Sequence, residues 1–157
     1  MAERLSEEDG RIALREHVVE KAMDARLRHG LYIDAEQMVR VLDDRAVVRY
    51  PVGIRFDAEG LEAGEFAWPM PLGDSPSKGF CLFIHPCFED QPDAWPLLIA
   101  YHIPTINYGE IATHEEAELF GATLLGLEQD EYYKALCELT DSIPGNRNSI
   151  SGESPGI

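Results

Sequence analysis

The sequence predicts an α+β fold, a small, mainly antiparallel four-strand sheet flanked by two N-terminal and two C-terminal helices. Three patterns predict it. Apolar residues recur with helical spacing near both ends of the chain, a stretch beginning at Val48 alternates with period two, and two later runs are apolar almost without a break.

The first helix is expected to start near Ser6 and Asp9, since a hydroxyl or carboxylate can cap free backbone N–H groups. Leu14, Val18, Ala22 and Ala25, with Ile12, Val19 and Met23 beside them, form a broad apolar stripe that ends at His29-Gly30. Asp34 and Gln37 open a shorter helix burying Ala35, Met38, Val39 and Leu42. Val48, Tyr50, Val52, Ile54 and Phe56 then alternate with polar residues and glycine, which reads as a strand with one wet face. Pro51 lies inside that run and cannot donate to a ladder, so the strand is an edge strand or is broken by a bulge.

Residues 58–79 are rich in glycine and proline yet carry Phe66, Trp68 and Met70 at a spacing of two. They form a short extra strand or a flap, and the three side chains are candidate interface anchors. Phe80–His85 and Leu97–Ile103 read as central strands covered on both faces, by helices or by a second subunit. Eleven residues separate them, too few for a parallel crossover, so the pair is expected to be antiparallel. Thr113 and Glu116 make a capping box ahead of a helix that buries Ala117, Phe120, Gly121 and Leu124 and stops near Gly126. A last helix buries Tyr132, Leu136 and Leu139. Residues 1–142 thus form one α+β domain, and residues 143–157, without aromatics, read as a flexible tail.

Composition narrows the function classes. The 157 residues are 45% apolar, enough for one core without disulfide or metal staples. The net charge is −16, and residues 79–157 hold 13 acids against two bases. Phosphate backbones and anionic membranes both want a basic surface, so neither nucleic acid nor membrane is an expected partner. A basic protein partner or a cation fits better. Three cysteines, an odd count, and a charged N-terminus without an apolar core segment point to a cytoplasmic chain with reduced thiols. There is no phosphate-binding glycine loop, nucleophile elbow or Cys-x-x-Cys pair.

Three constellations could carry chemistry. His85, Cys87 and Glu89 crowd one turn, but their spacing fits no common metal site. Cys81 and His102 would form a thiolate–imidazole pair if the two central strands placed them opposite each other. The third set has the best support: His102 at the end of a strand, Glu110 in the following loop and His114 at the start of a capped helix. Two histidines and a carboxylate are a ligand set for zinc or iron, and Glu118, one turn beyond His114, could join them. His114-Glu115-Glu116-Ala117-Glu118 has a glutamate where a zincin needs its second histidine, which excludes a metalloprotease. Tyr101, Asn107 and Tyr108 lie in the same segment and are candidate contacts for a small ligand. The chain therefore reads as a non-catalytic binding or assembly protein, forming a homodimer through the sheet or the aromatic loop. The alternative is a metal- or small-ligand-binding enzyme or sensor with its site near His102, Glu110 and His114.

Overall fold

The computed structural model describes residues 2–145, with side chains described from residue 7 onward. Along the chain come α1 (Ala2–His29), α2 (Ala35–Leu42), β1 (Val52–Phe56), β2 (Ala67–Pro71), β3 (Phe80–Ile84), α3 (Trp95–Tyr108), α4 (His114–Leu125) and α5 (Gln129–Asp141). The class is α+β, but the expected four-strand, mainly antiparallel sheet with two helices on either side does not form. The sheet has three strands in the order β1-β3-β2, with β1 parallel and β2 antiparallel to the central β3. The parallel pair is possible because the long segment between β1 and β3 carries β2 within it.

The difference lies in Leu97–Ile103, which is the middle of α3 rather than a strand. A continuous apolar run fits a strand covered on both faces and a helix buried all round equally well. The flanking chain decides between them. Trp95-Pro96 puts proline in the first helical turn, where a missing N–H costs nothing, and the Trp95 indole donates to the Phe88 carbonyl at 2.8 Å. α3 is the axis of the molecule. β2, α2, α4 and α5 all pack on it, leaving Leu98, Ile99, Ala100 and Ile103 without exposure.

α1 begins upstream of Ser6, at Ala2, and packs mainly on α4. Its buried stripe is narrower than the sequence suggested. Val18, Ala22 and Ala25 are fully buried, whereas Ile12 and Met23 are about half exposed, at 47% and 54%. Asp34 caps α2 by accepting from the Gln37 amide at 2.9 Å. Met38, Val41 and Leu42 turn inward, and Val39 points out. Asp44 then ties this region to the end of α1, accepting from Arg28 at 2.9 Å and bonding His29 at 2.8 Å.

Pro51 lies just before β1, which is an edge strand. The other edge, β2, is the strand built on Trp68 and Met70. The His85 amide donates to the Phe66 carbonyl at 2.8 Å, and the Leu72 amide donates to the Gly79 carbonyl at 3.0 Å. With the register of the pair, these bonds put the backbone groups of residues 66, 68, 70 and 72 toward β3. Pro69 and Pro71 take outward positions, so the prolines cost no ladder bonds and strip donors from the open edge.

The two faces of the sheet differ. Ala67, Leu82 and Ile84 are buried on the side that meets α3. Gly53, Arg55, Trp68, Met70, Cys81 and Phe83 share the opposite face. There the loop after β1 brings Gly60 over the Phe83 ring so closely that an added Cβ would lie 3.0 Å from it. Trp68 and Met70 stay open beside it, at 39% and 40% exposure.

The C-terminal helices follow their local signals. Thr113 and Glu116 form the capping box of α4, and Gly126, at φ 74°, closes the helix in the left-handed conformation. Gly121 lets α5 approach, since a Cβ there would fall 2.2 Å from the Tyr132 ring. Tyr132 is fully buried, and its hydroxyl donates to the Leu97 carbonyl at 2.6 Å. Leu139 is half-buried. Ile143, the first residue of the expected tail, is only 3% exposed and belongs to the core. The remainder of that tail, from residue 146, lies outside the described residues.

Candidate functional site

The change of Leu97–Ile103 from strand to helix relocates every candidate side chain around it. His102 lies on α3 and is 8% exposed, with its ring packed edge-on against Phe66 and Tyr101 at centroid distances of 5.6 and 5.4 Å. Its Nε2 is buried without a hydrogen-bond partner. Burial pulls the imidazole down to a pKa of about 4, so it is neutral near pH 7. Glu110 sits in the exposed 3-10 turn after α3, and His114 is exposed at the start of α4. Among the described residues, no three His, Cys, Asp or Glu side chains stand together as a metal site. The expected zinc or iron set of His102, Glu110 and His114 is thus not assembled. One member points into the core, and the other two stand in solvent beyond the end of the helix.

The small-ligand candidates separate as well. Asn107 is buried, and its side-chain amide is committed to the loop before β1. It accepts from the Arg49 amide at 2.8 Å and donates to the Val47 carbonyl at 2.8 Å. The Arg49 guanidinium adds a bond to the Asn107 carbonyl at 3.1 Å. Tyr108 packs edge-on against His17, with centroids 5.5 Å apart, and its hydroxyl is buried without a partner. Both hold the end of α3 in place.

Tyr101 faces a concavity. A cleft of about 200 Å³ is lined by Phe66, Tyr101, Glu118, Tyr133, Leu136, Cys137, Thr140 and Asp141. Four parts of the chain build it, namely the residue before β2, α3, α4 and α5. Phe66 and Tyr101 stand edge to face, 5.8 Å apart, and His102 wedges both from behind. Burial raises the Tyr101 pKa, and the negative charge of Glu118 adds to the shift. The Tyr133 hydroxyl is also raised, first by its hydrogen bond with the Cys137 thiol. Both phenols are therefore neutral at physiological pH. Glu118 accepts from the Gln129 amide at 3.2 Å. Phe66 and Glu118 stood out in the sequence for other reasons. Tyr133, Cys137 and Asp141 gave no signal there, because they meet Tyr101 only once α5 folds back along α3.

Neither Cys81 nor Cys87 is activated as a thiolate. All three are free and half-buried. Burial pushes the Cys81 and Cys87 thiols up, and for Cys81 this outweighs the nearby Arg55 cation. Cys81 lies in β3 and His102 in α3, so the pairing that needed two adjacent strands is not available. His85 accepts from the Cys87 amide at 3.1 Å and closes a turn. No described helix is long and apolar enough to cross a membrane.

Compared with known proteins, the chain matches no family model, no curated protein and no solved structure.

Proposed function

We propose that the protein is a non-catalytic binding and assembly protein, and that it forms a homodimer through the open face of its sheet. One observation carries this reading. Trp68 and Met70 lie exposed on the sheet face they share with Cys81 and the loop-covered Phe83, whereas the opposite face meets α3. Large aromatic and sulfur-bearing side chains on such a face are the usual anchors of an interface. Pairing strand to strand along β2 is disfavoured by Pro69 and Pro71, which leaves packing face against face, about 10 Å apart.

A second copy is the occupant that suits the charges. Among the described residues Arg55 is the one ionised side chain on this face; it stands 3.8 Å from its own Asp57 in an exposed pair, and Glu59 and Glu62 lie in the loop beside it. A two-fold pairing sets the Arg55 of each copy toward the acidic rim of the other, which reduces repulsion between two chains of charge −16. Light scattering at tens of micromolar protein tests the reading. The expected mass is twice that of the 157-residue chain, and Trp68→Lys with Met70→Glu should halve it while circular dichroism still shows a folded monomer that melts cooperatively. A wild-type monomer at that concentration would overturn it.

A further inference from the structure

The cleft beside Tyr101 has a chemistry of its own, independent of the sheet face. Three aromatic residues line it, Phe66, Tyr101 and Tyr133, together with two carboxylates, Glu118 and Asp141. No lysine, arginine or histidine is among its lining residues, and neither carboxylate is ion-paired among the described residues.

We propose that this cleft binds an organic ammonium ion, a primary or methylated amine carried on a short apolar body. The aromatic faces attract a cation through their quadrupoles, while the apolar remainder of the ligand covers Phe66 and Leu136. The carboxylates supply the counter-charge. Anions are repelled by both, and a neutral ligand would displace water from Glu118 and Asp141 without replacing its hydrogen bonds. The rest of the molecule works in the same direction, because a chain of charge −16 raises the local concentration of cations.

One wall is fixed in advance. Phe66 and Tyr101 are braced against the buried His102 ring, while the more exposed Tyr133 stands across the cleft from them. Binding thus loses little side-chain entropy. At about 200 Å³, the cleft is smaller than the usual range for drug-sized ligands. It suits an amine with few carbons or the end of a lysine side chain. These share the same chemistry, and one is a free metabolite while the other belongs to a basic protein.

The test is a titration of the isotope-labelled full chain followed by NMR. The probes are tetramethylammonium, n-butylammonium and an Nα-acetyl-lysine amide, with n-butanol, butyrate and sodium chloride as controls. The cations should give saturable shifts at the amides of Tyr101, Glu118, Tyr133 and Cys137, and the controls should not. Tyr133→Ala removes a solvent-exposed ring and leaves the core intact, and Glu118→Gln keeps the shape of the side chain. Each should weaken binding roughly three- to thirty-fold. Tighter binding of n-butylammonium assigns a free amine, and tighter binding of the lysine amide assigns a basic protein partner. Shifts that do not saturate below about 10 mM, equal binding of n-butanol, or no effect of either substitution would overturn the proposal.

Discussion

Glu116 closes the capping box of α4 and also joins α4 to α1. Its side chain is fully buried and accepts from Thr113, Arg11 and Arg15, with the Arg11 bond at 3.1 Å. Burial alone would push its pKa up, but the Thr113 bonds and the two guanidinium groups outweigh that and hold the carboxylate below its ordinary value. His102 is the contrasting case, a buried polar ring with no partner for Nε2. Its native pKa of about 4 lies below the ordinary 6.5, so the unfolded chain takes up the proton first as pH falls. Native stability is therefore full above about pH 6.5 and is lost between there and about pH 4. At pH 5 the loss from this one group is about 2 kcal/mol. His102→Phe should flatten the decline of melting temperature over that window and leave the value at pH 7.5 equal or higher. An unchanged pH profile would refute this role. Gly121 is constrained sterically. Alanine there would place Cβ 2.2 Å from a buried, hydrogen-bonded Tyr132. Gly121→Ala should cost about 2–3 kcal/mol in urea unfolding, with an unchanged m-value.

Among the elements, α3 and β2 are the ones that tertiary context decides. α3 is uniformly apolar because it is surrounded, so its sequence keeps no periodic trace of which side faces which neighbour. β2 holds two prolines in five residues, which argues against a strand until register shows that both face the open edge. β3 puts Cys81 beside Arg55 through its pairing with β1, a proximity invisible along the chain. Burial still raises the Cys81 and Cys87 thiols, so native labelling by a thiol reagent at pH 7.5 should be slow and should become complete on unfolding. In the dimer, Cys81 should be slower than in the Trp68→Lys, Met70→Glu protein, because it shares the proposed interface.

At the scale of the molecule, α3 is the hub that β2, α2, α4 and α5 share, and α1 joins it through α4 and α2. Ile143 extends the hydrophobic core past the end of α5. Ending the chain after Gly145 should leave the melting temperature within about 2 °C, since what is removed is polar and rich in glycine and serine. Ending it after Ser142 removes the buried Ile143 side chain and should cost roughly 2 kcal/mol, or several degrees. Acid should lower the stability of the protein in steps ahead of one cooperative unfolding transition. His102 acts first, then Glu116 below its ordinary carboxylate range, and last Asp44, which Arg28 holds at about 2.

Local signals determined much of the chain by themselves. The Asp34 cap, the Thr113–Glu116 capping box and the Gly126 stop depend on neighbours a few residues away, and each was legible in the sequence. The class α+β and the acidic balance were legible for the same reason. What only the tertiary structure decided depends on contacts between distant segments. A buried helix and a buried strand both present unbroken apolar sequence, so Leu97–Ile103 took its form from the four elements that enclose it. That choice dispersed His102, Glu110 and His114, because a helical rise of 1.5 Å per residue and a buried face replaced the strand end on which their convergence depended. The same choice brought Tyr101 to Tyr133 and Glu118. Residues so far apart in sequence become neighbours only when α4 and α5 bury their apolar faces against α3.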